Sequence, residues 1–169
     1  MPLSYGPVGL LNERDSSRRI DDACVTIGRG AADFARARAA LEAWKQFDVG
    51  WVQHFPRNAP TATGTVVAVL IRHLGFWSLN GCRVVYQVGE REGTRFGYAY
   101  GTLPNHAEAG EELFEVRLDP ESGDVTYRIR ATSWANAPLA WLGQPYARVL
   151  QARFRHESGT AMRRAVRER

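Results

Sequence analysis

The chain has 169 residues, the size of one ordinary domain and enough to bury a continuous core without metals or disulfides. Hydrophobic residues make up 44% and charged residues 24%, which argues against a disordered chain, and no run approaches the roughly 18 apolar residues of a membrane helix; the longest candidate, Thr65 to Ile71, stops at Arg72. The net charge of +4 rests on arginine, Lys45 being the only lysine, and this usage fits a GC-rich bacterial genome as readily as a function.

Residues 1 to 20 read as irregular, with Gly6, Pro7 and Gly9 early and a polar run from Asn12 to Arg19. Met1 to Asn12 has neither the basic leader nor the apolar core of a secretory signal, so a cytoplasmic location is expected. Asp22 to Arg29 alternates as a half-buried strand does, with Val25 and Ile27 on one side and Cys24 and Thr26 on the other. Gly28 and Gly30 end it. From Ala31 to Phe47, Phe34, Ala37, Leu41 and Trp44 recur at helical spacing and predict an amphipathic helix. Val49 to Phe55 reads as a second strand, Pro56 to Pro60 as a loop, and the β-branched run Thr65 to Arg72 as a third strand that Gly75 to Gly81 breaks.

Cys82 to Gly89 and Thr94 to Thr102 flank the polar Glu90-Arg91-Glu92-Gly93 turn and predict a hairpin. After the connection Leu103 to Gly110, Glu111 to Leu118 and Val125 to Ser133 are joined by Asp119-Pro120-Glu121-Ser122-Gly123-Asp124, whose Pro, Gly and Asp residues favour a turn. Beyond Trp134 the period lengthens: Leu142, Tyr146, Val149, Leu150 and Phe154 form a helical stripe, limited at its start by Pro138 and Pro145 and weakened at Ser158 and Gly159. The order is strand, helix, six strands, long helix, in one domain over 1–169 with 1–20 irregular and 134–169 the C-terminal helix region. Cys24 and Cys82 form no CxxC and have no His at ligand spacing, so no metal or cofactor is expected and both thiols are expected to be reduced and mostly buried.

Five segments carry a family resemblance: Tyr5-Gly6-Pro7-Val8-Gly9, Cys82-Arg83-Val84-Val85-Tyr86, the run Phe96 to His106 with its YGTLPNH sequence, Gly110-Glu111-Glu112, and Leu142-Gly143-Gln144-Pro145. Together the chain resembles uncharacterised protein family 0548, a domain-of-unknown-function family, over nearly its whole length. The resemblance implies no activity and no catalytic residues to carry over. The element order is also similar to the helix-grip fold of START-like proteins, which implies an α+β architecture. In it a curved antiparallel sheet of about six to seven strands wraps a long C-terminal helix around an apolar cavity. That fold has two short helices between its first and second strands, and only Ala31 to Phe47 is visible as one here.

The candidate site residues are Tyr98, Tyr100, Thr102, His106, Glu112 and Trp134. Tyr98 and Tyr100 share a strand face with Phe96 and Thr102, opposite Gly97, Ala99 and Gly101. Such a face suits either a cavity wall with hydroxyls for a ligand or close packing of a helix on the sheet. His106 is either a general acid or base or a turn residue, with Glu111 or Glu112 able to orient it. Glu112 shares the apolar face of Phe114, Val116 and Leu118, where it is either a site carboxylate of raised pKa or a structural partner of Arg83 or Arg130. Trp77, Trp134 and Trp141 either guard a cavity mouth or fill the core. On the C-terminal helix Arg153, Arg155, Arg163, Arg164 and Arg167, with Arg148 and Arg169, form either an anion-binding or a solvated face, without the motifs of known nucleic-acid readers. The expected function is binding of a small hydrophobic or amphipathic ligand between sheet and helix. The alternatives are a cyclase, hydratase or isomerase using His106 and Glu112 for proton transfer, and an arginine-mediated nucleic-acid or anionic-partner module.

Overall fold

A computed structural model describes residues 1–11, 19–90, 92–104, 106, 108–135 and 144–168 of the chain. The expectations for Trp141, Leu142, Pro138 and Arg169 lie outside these residues. The order is β1 (Asp21–Arg29), α1 (Gly30–Glu42), one turn of 3-10 helix (Lys45–Phe47), β2 (Val52–Phe55), β3 (Val66–His73), β4 (Phe76–Val88), β5 (Arg95–Thr102), β6 (Glu108–Leu118), β7 (Asp124–Ala135) and α2 (Gln144–Arg167). All pairings are antiparallel, in the order β1-β7-β6-β5-β4-β3-β2. Strands β2 to β7 form a meander, and β1 joins its far edge beside β7, so α1 and the 3-10 turn carry the chain from one edge to the other. The curled seven-stranded sheet with α2 against its concave face is the helix-grip, START-like fold.

The period of 2 in each strand sends one set of side chains into the concave face. Ile27, Val67, Val69, Val84, Tyr98, Phe114, Val116, Tyr127 and Ile129 meet Phe34, Leu41 and Trp44 before β2, and Phe154, Met162 and Val166 from α2. Phe47 is the hinge of the aromatic cluster, stacking on Phe154 at 5.4 Å and on Trp44 at 5.7 Å, and meeting Phe114 edge-on at 5.8 Å. The convex face holds the N-terminal segment. Gly101 faces Tyr5 so closely that a Cβ there would lie 2.1 Å from the phenol oxygen, which explains one member of the small-residue ridge.

Several predicted boundaries move, each for a tertiary reason. Helix α1 stops at Glu42, short of Phe47, because Trp44 takes a left-handed φ of 58° and turns into the core, where its Nε1 donates to the Ala59 carbonyl at 2.8 Å. The second strand shortens to Val52–Phe55. Gly75 to Gly81 does not break the sheet: Leu74 and Gly75, with φ of 50° and 82°, form a tight two-residue hairpin turn, and β4 then runs thirteen residues through Gly81. Ser158 and Gly159 do not interrupt α2, which is continuous from Gln144 to Arg167. Cys82 is buried but Cys24 is exposed, since alternation in β1 turns it outward with Thr26. No helix among the described residues is long and apolar enough to cross a membrane.

Candidate functional site

A cavity of about 390 Å³ lies between the concave sheet face and α2. Its walls are largely apolar, with Phe47, Trp51, Val69, Ile71, Leu150 and Phe154 among them. Its polar groups come chiefly from the adjoining ends of β5, β6 and β7 and the facing turns of α2.

Strand register builds this polar end. Tyr100 pairs with Glu112 across β5 and β6, and Glu112 with Ala131 across β6 and β7. Along β6, Glu108, Gly110 and Glu112 alternate inward and line the cavity. The Tyr100 hydroxyl donates to Glu112 Oε2 at 2.5 Å. Thr102 Oγ1 accepts the Gly110 N–H at 2.9 Å and fixes the start of β6. From α2, Gln151 Nε2 donates to Glu108 Oε2 at 2.8 Å and to Ser133 Oγ at 3.3 Å.

Electrostatics follow from enclosure. Burial raises the Glu112 carboxyl to about 7; the Tyr100 hydrogen bond and Arg155 pull it down, and Glu108 adds to the rise. Protein encloses Glu112, and its residual accessible surface opens on the cavity. Glu108 is also raised, by burial first, against the bonds from Gln151 and Ser133. His106 is lowered to about 4 by burial, and its Nδ1 accepts the Glu108 N–H at 3.0 Å. The imidazole is therefore neutral near pH 7, with its proton on Nε2.

Of the six candidate residues, Tyr100, Thr102, His106 and Glu112 line this cavity. Tyr98 and Trp134 are not among its lining. Tyr98 is fully buried behind the wall, its hydroxyl accepting from Gln46 Nε2 at 2.6 Å and donating to the Leu41 carbonyl at 3.5 Å. Trp134 lies on the convex face, edge-on to Tyr5 at 6.4 Å, and Trp77 lies exposed on β4 opposite Arg72. Glu112 pairs with neither Arg83 nor Arg130: Arg83 bonds the Met1 carbonyl, and Arg130 the Leu11 carbonyl at 2.8 Å and Asp22 at 3.8 Å.

Glu111 points to the opposite face and does not orient His106. Its Oε1 accepts the Tyr5 hydroxyl and the Gly9 N–H, both at 2.7 Å, and its Oε2 the Tyr86 hydroxyl at 3.4 Å. Sequence reasoning missed Glu108 and Gln151, and took Arg155 only as part of an anion-binding or solvated face and not as a cavity residue. The signal for Glu108 was its even spacing from Glu112, hidden by starting the strand after Gly110.

Four of the arginines of α2 have partners within the chain. Arg153 pairs with Glu157 at 2.7 Å, Arg155 with Asp21 at 3.7 Å and Arg164 with Glu168 at 3.8 Å, while Arg163 caps the Thr26 carbonyl at 3.0 Å. A second recess, about 430 Å³, runs between β1 and α2 past Cys24, His156 and Arg163. Among the described residues no three His, Cys, Asp or Glu side chains are placed to hold a metal ion.

The model of a domain of unknown function, DUF1990, matches residues 4–161. A UPF0548 protein of Dictyostelium discoideum is 34% identical over 165 residues, covering 92% of this chain and 76% of that protein. A UPF0548 protein of Deinococcus radiodurans is 35% identical over 153 residues, covering 83% and 75%. These relatives span a eukaryote and a bacterium. Among solved structures, TTHA0849 from Thermus thermophilus has a TM-score of 0.61 at 13% identity, covering 88% of this chain and 97% of that one. Norcoclaurine synthase from Thalictrum flavum has a TM-score of 0.54 at 9% identity, covering 98% and 96%. At these identities the likeness concerns the fold.

Proposed function

The chain belongs to the DUF1990 family of unknown function, and from that premise we propose that it binds one small amphipathic molecule in the cavity between the sheet and α2. The apolar body of the ligand packs on Phe47, Trp51 and Phe154, and its polar end meets Tyr100 and Glu112. The observation that carries this reading is a space of about 390 Å³ with apolar walls and a few convergent polar groups, within the roughly 300–1,000 Å³ typical of small-molecule sites. A fold stabilised by packing alone would fill such a space with side chains.

The neutral fluorophore N-phenyl-1-naphthylamine tests it. Its emission is expected to rise on mixing with the protein and to saturate at one molecule per chain. Ala147→Trp, which puts an indole into the cavity from α2, is expected to weaken uptake at least about tenfold by occupying the space. Uptake that is absent, or unchanged in the variant, would overturn the reading.

The convergence of His106 and Glu112 on the same cavity favours a second reading, proton transfer on the bound molecule. With a carboxyl near 7, Glu112 would remove a proton next to a carbonyl, and His106 Nε2–H would donate to the developing oxyanion. Deuterium incorporation into a bound ketone in heavy water, followed by NMR and abolished by Glu112→Gln, distinguishes this enzyme from a binder.

A further inference from the structure

We infer that the polar head of the ligand is a protonated amine, seated against the Glu112 and Glu108 carboxylates at the polar end of the cavity. This rests on the binding reading above and adds to it the charge of the ligand. Two carboxylates on one inward face of β6 are separated by Gly110, which puts no side chain between them. Glu112 uses Oε2 to accept from Tyr100, and among the described residues no donor reaches Oε1, which opens on the cavity. Glu108 is held by the neutral amide of Gln151. Among the described residues no Lys, Arg or His nitrogen lies within the 4.0 Å of an ion pair from either carboxylate.

The groups facing Glu112 leave its charge unbalanced. Tyr98 and Tyr100 on β5, Tyr127 on β7 and Cys82 on β4 are neutral, because burial raises the phenols and the thiol. His106 is neutral, and Glu108 adds negative charge. Two cations of α2 face the pair, Arg155 toward Glu112 and Arg148 toward Glu108; neither comes within ion-pair distance of these carboxylates, and the Arg155 guanidinium is 3.7 Å from Asp21, which itself adds to the rise at Glu108. A buried carboxylate without a contact ion pair escapes its desolvation cost by taking a proton, and burial outweighs the more distant Arg155 and Arg148 in the upward shifts of Glu112 and Glu108. An ammonium group removes that cost differently: it brings a full positive charge and up to three N–H donors to the open carboxylate oxygens. An alcohol offers one donor and no charge, and a carboxylate ligand meets two acids.

Isothermal titration of the full chain at pH 8 with 2-phenylethylamine, 2-phenylethanol and 3-phenylpropionate, three heads on one body, tests the inference. The amine is expected to bind at least about tenfold more tightly than the alcohol, with the propionate weakest. Amine affinity is expected to rise about tenfold from pH 6 to pH 8 as Glu112 ionises, while the alcohol changes little. Glu112→Gln is expected to bring the amine to within about threefold of the alcohol and to flatten the pH profile. A thermal midpoint at pH 8 no lower than that of the unsubstituted chain shows that the variant folds. An alcohol or propionate that equals the amine, or an amine preference intact in the variant, overturns the ammonium head. If N-phenyl-1-naphthylamine is taken up while the amine is not preferred, the charge assignment fails alone; if no probe binds, the binding reading fails with it.

Discussion

Burial of Glu112 couples the stability of the fold to pH. In the unfolded chain this carboxyl titrates near the ordinary 4.5, and in the folded protein near 7, so between those values the folded state holds more protons. The contribution of Glu112 to stability is therefore complete below 4.5, falls as pH rises through that window, and levels off above 7. A displacement of this size corresponds to roughly 3 kcal/mol. Glu112→Gln removes the dependence, and the difference between the urea midpoints of the two proteins is expected to grow in favour of the variant from pH 5 to pH 8. A constant difference would mean that Glu112 is solvated in the folded state. Alternation along β6 placed this residue on the apolar face from sequence alone. Its Tyr100 partner depends on cross-strand register, which spacing within a single strand does not specify.

Helix α2 illustrates how an element can be located correctly and misread at one point. Ser158 and Gly159 are poor helix formers, and propensity alone suggests a weak spot. In the folded chain they are the contact with the sheet: Ser158 is completely buried with its Oγ 2.9 Å from the Tyr127 hydroxyl, and a Cβ on Gly159 would lie 3.0 Å from Val25. Small residues let the helix approach β1 and β7, and that approach outweighs propensity. Tyr127→Phe leaves the Ser158 hydroxyl buried without its partner and is expected to cost about 1–2 kcal/mol by urea denaturation. No change would mean that water or the helix backbone satisfies Ser158. The hairpin between β3 and β4 teaches the same lesson. Seven residues ending in Gly81 look like a break, yet Leu74 and Gly75 make the whole turn and Gly81 pairs with Ala68 inside the ladder.

Across the whole molecule, the element order was legible because periodicity and turn chemistry are local, whereas the wrapping of the sheet around a cavity was implied only by the helix-grip resemblance. The apolar lining of the cavity was not legible, because Phe47, Trp51, Val69 and Phe154 are brought together only by tertiary packing. The N-terminal segment was equally hidden. It reads as irregular, yet Tyr5 and Gly9 strap it to the convex face through Glu111. Glu111→Ala strands both donors and is expected to cost about 2–3 kcal/mol and to speed hydrogen exchange at Gly9, whereas unchanged exchange would show that the strap holds by packing alone. The strap and the cavity acid are consecutive residues of one strand, which limits how the chain can change length. Inserting or deleting one residue within β6 ahead of Glu111 would turn each acid to the other's face, stripping the strap and the cavity together. Length changes are better absorbed at the turn between β4 and β5, where Glu90 and Glu92 are exposed, which is the place to insert an epitope or a reporter; the turn between β6 and β7 is tied to the start of α1, whose Gly30 N–H donates to the Gly123 carbonyl at 2.7 Å.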